Sequence, residues 1–318
     1  MLQKIRTSIR KFVFLIINQL IKIGFFRKIL NSIYNSLSWQ NRRIVQRHII
    51  YPKKNFIWKI KLLNKKSLKM YVSKNNPYTF QLALLYYNIS PQICILENDI
   101  NNYLPIRTPY FDIGAHQGMR SLLFLSSKRK TFMFEPNNYL NKINQNRCKL
   151  NNFQNYYIEQ ACVSNENGTQ KFYFSKESSM SSLDINYAKK RGISKQEDVK
   201  TITIDYFFKN KRIMHKFPYI KVDVEGYEIN VIQGAEKTIQ NMRPTFLIEI
   251  FEKSHKKILF EYFFLKKYNI FGVNFGSENI LTFISDIKSI IKCKASDYLF
   301  VYDEGLKNIL YNKYIKNS

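Results

Sequence analysis

Three segments bearing acids or glycines follow one another in a fixed order: Phe111-Asp112-Ile113-Gly114-Ala115-His116-Gln117-Gly118, Phe134-Glu135-Pro136-Asn137 and Lys221-Val222-Asp223-Val224-Glu225-Gly226. Each closes an apolar, strand-like run, the placement by which an open α/β sheet builds a nucleoside pocket outside the carboxyl ends of its strands. Gly114 and Gly118 give a turn whose bare backbone can approach a ligand and aim amides at it. Their G-x-x-x-G spacing departs from the dinucleotide fingerprint, because His116 stands where the second glycine would admit a pyrophosphate. Glu135 follows Gly114 by 21 residues, at the end of the next strand-like run. There a carboxylate accepts hydrogens from both ribose hydroxyls. An NAD-type site and an S-adenosylmethionine-type site would both use it, and the missing pyrophosphate glycine favours the adenosyl sulfonium. Asp112 then faces the cationic amino end of the methionine portion. The bland alternative for Asp112 and Glu135 is a pair of solvated loop acids.

In the third segment Lys221, Asp223 and Glu225 alternate, so a strand end projects all three to one side. Charges there are costly to bury unless paired, which predicts that they line a cleft, with Lys221 paired to Asp223 or Glu225. One carboxylate is then available as general base for a substrate hydroxyl. Glu249, closing Phe246-Leu247-Ile248, sits at the equivalent end of the next strand-like run. A structural ion-pair network that only supports the pocket is the open alternative. The histidines (His48, His116, His215, His255) and cysteines (Cys94, Cys148, Cys162, Cys293) have no metal-ligand spacing, and no CxxC occurs. Asp223, Glu225 and Glu249 could hold a hard cation, but no spacing demands one.

The elements that must position these residues read as strand, turn and helix in repetition from Pro109 onward. The pattern predicts strands at 109–113, 130–134, 156–163, 169–174, 200–204, 218–222 and 245–250, with further strands near 270–275, 281–284 and 298–301. It predicts helices at 121–127, 137–150, 228–241 and 254–268. The polar stretch Ser175–Asp198 reads as a mobile loop or lid. Before Pro109 the pattern differs: 1–45 reads as helical, 55–63 and 68–73 as a hairpin carrying lysines outward, and 79–87 as a short helix.

The 318 residues suffice for one large domain with extensions, and 45% hydrophobic content argues against disorder. Of 51 basic and 23 acidic side chains, residues 1–96 hold 18 basic and no acidic ones. This front third is a cationic surface suited to lipid head groups, nucleic acid or acidic glycans, unless it is only a solvated face. On a helix, Lys4, Lys11, Asn18 and Lys22 form one stripe opposite Ile5, Ile9, Phe12, Ile16, Leu20 and Ile23, as in a basic amphipathic helix lying on an anionic membrane. A helix packed on the catalytic domain or on a second subunit fits equally. The run 12–26 is too short and too polar for a span, and no cleavage site follows it. These features point to a cytoplasmic protein, peripheral on the inner face of the membrane.

The ordered motifs resemble the FkbM-type family of S-adenosylmethionine-dependent methyltransferases from about Phe111 to about Glu252. The match comprises D-I-G-A-x-x-G (112–118), F-E-P (134–136), Ser181-Ser182-Leu183, K-[IV]-D-V-E-G (221–226) with Glu228, and Pro244 through Glu249. The resemblance implies an α/β, Rossmann-like class I methyltransferase sheet: mostly parallel, seven-stranded, helices on both faces, its last strand pair antiparallel. The change of pattern near residues 90–105 divides the chain into a basic helical and hairpin extension over 1–100, to which the resemblance assigns no role, and a methyltransferase domain over 101–318. The resemblance implies S-adenosylmethionine as cofactor, contacts at Asp112, Gly114, Gly118 and Glu135 with Asn137 nearby, and Gln160 at the adenine. It also implies methyl transfer to oxygen, often on sugar or natural-product hydroxyls. Two positions depart from the family pattern. His116 replaces the usual Asn, as a cofactor contact or a loop filler. Gln160 replaces a usual acid, and its carbonyl still accepts from the adenine amine.

The expected function is therefore O-methylation of a hydroxyl on a glycan, glycolipid or natural-product acceptor, with Asp223 or Glu225 as base. An RNA methyltransferase gripping phosphates with the basic front third is a second reading. A non-catalytic membrane-surface scaffold retaining the fold is a third.

Overall fold

Short runs of β-branched and aromatic residues between glycine or acid turns, such as 110–113, 131–134 and 219–222, become strands here because each is covered on both faces, which rewards continuous apolar sequence. The computed structural model describes residues 55–62, 66–72, 91–175, 178–274 and 280–316. The chain divides into two compact units, Met1–Ile95 and Leu96–Ser318. In the first, β1 (Phe56–Lys61) pairs antiparallel with β2 (Ser67–Val72), placing Trp58 opposite Met70. Both residues are buried, while Lys59, Lys66 and Lys69 point outward as the alternation predicts. The expected helices over 4–26, 1–45 and 79–87 lie outside the described residues.

In the second unit the strands are β3 (Tyr110–Ile113), β4 (Thr131–Phe134), β5 (Tyr156–Glu159), β6 (Cys162–Val163), β7 (Gly168–Ser175), β8 (Ile193–Ile202), β9 (Tyr219–Val222), β10 (Thr245–Glu249), β11 (Asn269–Val273), β12 (Leu281–Ile284) and β13 (Asp297–Val301). Eight of them form one sheet in the order β12-β11-β13-β10-β9-β3-β4-β5. From β10 through β5 the ladder is parallel, and β13 inserts antiparallel between β10 and β11. This is a mostly parallel α/β sheet with an antiparallel strand near one edge, as expected, with one strand more than the seven expected. The extra strand is β12, which turns back antiparallel on β11 and caps that edge. The strand order reverses between β3 and β9, so a crevice opens above their carboxyl ends.

Helices cover the faces. One cluster under the sheet joins Phe111, Phe132, Phe134, Ile220, Val222, Phe246 and Ile248 to Phe207, Phe208, Phe260 and Phe263. On the other face Tyr110 stacks on Phe124 with ring centroids 3.8 Å apart. The helix 91–103 is fastened to the sheet by Arg129, which is 1% exposed. Its guanidinium donates to Asn101 Oδ1 and to the carbonyls of Asn101, Leu104, Pro105 and Thr108 at 2.6–3.0 Å. These are helix-end and loop carbonyls that lack intrahelical partners.

Three sequence expectations need correction. The single strand over 156–163 breaks at Gln160-Ala161: β5 stays in the main sheet, whereas β6 pairs with β8 in a three-stranded sheet ordered β6-β8-β7. The apolar character is similar on both sides of the break, so composition does not reveal the change of partner. The polar stretch 175–198 is not one loop. It holds a short helix at Ile185–Arg191 and most of β8, whose polar side chains are exposed while its backbone pairs with β7. Asp198 lies opposite Lys171, and the Lys195 ammonium sits 4.4 Å from the Phe174 ring centroid, so charge pairing replaces apolar burial here. The helix over 228–241 is two helices, Glu228–Gln233 and Glu236–Met242, separated at Gly234. A Cβ at Gly234 would lie 2.1 Å from the Ser164 carbonyl oxygen, so the chain bends where another backbone presses on it.

Candidate active site

The turn after β3 carries Gly114 and Gly118 at φ of 72° and 64°, conformations that favour glycine. What their missing side chains admit is protein. A Cβ on Gly114 would fall 1.8 Å from the Asp223 carbonyl oxygen, and one on Gly118 would fall 2.8 Å from Asn144 Oδ1. The glycines thus let the tip of β9 and the helix 138–150 close on the turn, a reason different from the ligand approach expected of them. Gly114 and Ala115 N–H both donate to the Phe134 carbonyl, which ties this turn to the end of β4.

Glu135 stands at that end and is 6% exposed. Its Oε2 accepts from His116 N–H and its Oε1 from Asn137 N–H, each at 2.9 Å. Burial raises its pKa to about 7 against the lowering effect of those two amides. Each oxygen keeps a lone pair beyond its amide, the donor-free pair that a ribose diol requires. His116 adopts φ 48°, and burial lowers its pKa to about 4, so at neutral pH it is uncharged. One residue past Glu135 begins a cavity of about 350 Å³. Pro136, Asn137 and Gln160 line it on one side, Phe174, Lys195 and Val199 of the small sheet on the other. Asn137 also caps the helix 138–150 by accepting from Tyr139 N–H.

Asp112 is fully buried. Ser121 Oγ donates to its Oδ2 at 2.7 Å. Its Oδ1 has no hydrogen-bond partner among the described residues and lies 3.4 Å from Lys221 Nζ. The pairing follows from register, since Asp112 and Lys221 are direct neighbours on β3 and β9. Lys221 also reaches Asp223 Oδ2 at 3.1 Å and the Gly114 carbonyl at 3.3 Å. It therefore bridges the β3 turn to the β9 tip.

Beyond Lys221 the chain brings three acids together. Ligand oxygens of Asp223, Glu225 and Glu249 lie within 4.8 Å of one another. Glu225 reaches this position through a left-handed backbone, φ 55°. Like charges so close cannot all ionise at neutral pH, and burial sets the order. Burial acts to raise Asp223, but the Lys221 ammonium and a hydrogen bond from Glu249 outweigh it and hold Asp223 below the usual carboxylate range. Burial, then the Asp223 charge, drives Glu249 well above it. The same two causes lift Glu225 to about 8. Glu249 thus keeps its proton beside ionised Asp223, and the three carboxyl groups are also close enough to share a hard cation.

Several contributors escaped the sequence. Ser121 opens the helix 121–126 and Asn144 lies in the middle of 138–150, with nothing in the sequence to mark either. Asp297 faces Glu249 across the β10–β13 ladder, and burial raises it to about 6. His255 Nδ1 lies 3.5 Å from Glu228 Oε2, whose hydrogen bond raises the imidazole. Ser182 and Tyr187, from the stretch expected to be a lid, both contact Glu225. No helix among the described residues is long and apolar enough to cross a membrane.

A family model described as the methyltransferase FkbM domain matches residues 112–285. Among solved structures, the chain is similar to methyltransferase FkbM from Methylobacillus flagellatus KT, with 16% identity and a TM-score of 0.41, covering 70% of this chain and 54% of that one. It is similar to an rRNA methylase from Streptococcus thermophilus at 8% identity and a TM-score of 0.37, covering 67% of this chain and 97% of that one. A Streptococcus mutans protein in complex with SAH is similar at 9% identity and a TM-score of 0.36, covering 65% of this chain and 96% of that one. The chain spans about half the length of the first of these structures. No curated protein matches the sequence.

Proposed function

Because the chain belongs to the FkbM methyltransferase family, whose cofactor is S-adenosylmethionine, we propose that it methylates a hydroxyl of a glycan, glycolipid or natural-product acceptor. The described residues fit that cofactor. Glu135 offers two buried acceptor oxygens for a ribose diol, and the cavity past Pro136 has room for an adenine beside Gln160, while Asp112, hydrogen-bonded to Ser121 and paired with Lys221, braces the turn from behind. When bound, S-adenosylmethionine supplies an electrophilic methyl group on sulfur. The protein's share is to align an oxygen in line with that methyl group and to take its proton.

The observation that carries the reading is the acid trio at the tips of β9 and β10. Asp223, ionised and fixed by Lys221, accepts a hydrogen bond from the hydroxyl and orients it. Glu225, raised to about 8, is the base in its ionised form, so transfer should quicken as pH rises toward that value; it gains the proton as the oxygen gains the methyl group. Glu249 supports Asp223 from behind. The 18 basic and no acidic side chains of residues 1–96 support an acceptor on an anionic surface such as the inner face of a membrane.

Incubation with methyl-labelled S-adenosylmethionine tests this, using cell-envelope extract and total RNA in parallel. Label in an alkali-stable ether of a carbohydrate or lipid-linked product is the expected result; label confined to RNA overturns the acceptor class. Glu225→Gln should slow transfer by roughly 10²–10⁴-fold. Its affinity for S-adenosylhomocysteine should stay within about twofold of wild type, since loss of an acceptor-side base leaves uniform cofactor binding intact.

A further inference from the structure

Of the sequence motifs, the serine pair Ser181-Ser182 is the one that the proposed chemistry leaves without a task. In the structure it is a fastening. Ser181 Oγ accepts from Ser175 N–H at 3.1 Å. Ser182 exchanges two backbone hydrogen bonds with Tyr173, at 2.9 and 3.1 Å, which fixes the segment to the small sheet. Its side chain, 1% exposed, donates to the Glu225 carbonyl at 2.8 Å and accepts from Asp184 N–H at 2.9 Å. Asp184 then caps the helix Ile185–Arg191 by accepting from Asn186 and Tyr187 N–H.

That helix delivers Tyr187 to the same turn. The Tyr187 hydroxyl donates to Glu225 Oε2. Its ring lies on the α-carbon of Gly226, so that a Cβ there would come within 3.0 Å of Tyr187 Cδ2. Gly226 has φ 96° and Glu225 φ 55°, two consecutive left-handed residues. An isolated turn of this kind costs conformational energy and persists only where its surroundings hold it. Here the holding groups come from the 182–187 segment on one side and from Glu228, which accepts Gly226 N–H at 2.8 Å, on the other.

We propose that Ser182 and Tyr187 are positioning residues that clamp the Glu225 turn, so that the 182–187 segment sets where the Glu225 carboxyl points. The inference rests on the reading of Glu225 as the acceptor-side base. Both atoms that define the aim are held: Ser182 grips the main chain of Glu225, and Tyr187 grips one of its two carboxyl oxygens. The other carboxyl oxygen is left for the acceptor. The charged and titratable groups facing Glu225 are Asp223 and Lys221 from the β9 end, Glu228 from the helix 228–233, Glu249 from β10 and Tyr187 itself. Tyr187 can be altered without touching the cofactor turn or the Lys221 bridge.

The test uses the full chain, with Tyr187→Phe, which keeps the ring on Gly226, and Ser182→Ala, which loses only the hydroxyl. Carbon-13 labelling of glutamate, with Glu225→Gln to identify the signal, follows the Glu225 carboxyl through a pH titration. Wild type should titrate near about 8. Loss of the Tyr187 donor should raise that midpoint by about one unit, because a hydrogen bond to the charged form favours it. Labelled methyl transfer into cell-envelope extract should fall about tenfold in either variant, as expected when one charge-assisted hydrogen bond is lost. S-Adenosylhomocysteine affinity should stay at the wild-type value in both. An unmoved Glu225 midpoint in Tyr187→Phe, or transfer undiminished in both folded variants, overturns the clamp. Failure of the wild-type protein to bind S-adenosylhomocysteine instead sinks the methyltransferase reading, and the carboxyl titration still reports on the clamp.

Discussion

At Glu135, burial and hydrogen bonding pull in opposite directions. Its removal from water raises the carboxyl to about 7, and the His116 and Asn137 amides restrain that rise. The ionised form is the one that offers both oxygens to a diol. Cofactor affinity should therefore climb as pH rises from 6 to 8, with a midpoint near 7. Titration calorimetry with S-adenosylhomocysteine checks this, and a flat profile would contradict the ribose assignment. Glu135→Gln turns one acceptor into a donor, and affinity should drop by roughly 10–100-fold, the range for losing a charge-assisted hydrogen bond. His116 stays neutral throughout this window, so it adds no step to the profile.

Among the elements, two junctions hold the site in place. Gly114→Ala would drive a methyl group against the Asp223 carbonyl, 1.8 Å away, at a φ that alanine resists. We expect it to destabilise the fold by about 3 kcal/mol or more and to depress cofactor binding and turnover together, read by thermal melting and calorimetry. Arg129→Met removes the donor of five hydrogen bonds to the end of the helix 91–103 and its loop. A loss on the order of 3 kcal/mol, seen as a fall in Tm of roughly 6–12 °C, is expected. The strands flanking the site were legible because each is a short apolar run ended by an acid or a glycine. So was an ion pair for Lys221 at this strand end, because alternation puts Asp223 and Glu225 on its side; that Asp223 takes it was not legible. What the sequence hid were contacts that depend on partners far along the chain. Nothing local marks Arg129 as a helix clasp, and β8 carries the polar composition of a loop because its two faces meet solvent and charge. The glycines stood out as a bare-backbone turn, but the body pressing on Gly114 is Asp223, about a hundred residues away.

For the whole molecule, the buried acids dominate the response to pH. Glu97, Glu135, Glu225, Glu249 and Asp297 are all raised, mainly by burial. Each binds its proton more tightly folded than unfolded, so its stabilising contribution is complete below the ordinary carboxylate pKa and is lost as pH rises through the folded value. For Glu225 that window runs from 4.5 to about 8. Asp223 is lowered and acts in the opposite sense, with its contribution lost only on acidification below its ordinary 3.8. The protein should thus melt at a higher temperature at pH 6 than at pH 9, and Glu225→Gln should flatten the difference in differential scanning calorimetry. The interlock of Gly114 with the Asp223 carbonyl has a practical corollary. The two strand tips are in effect one casting, and neither can be recontoured without cracking the other. Any recontouring of this site should leave that casting alone, spare Ser182 and Tyr187, which hold the Glu225 turn, and vary exposed neighbours such as Asn186 and Lys189 instead.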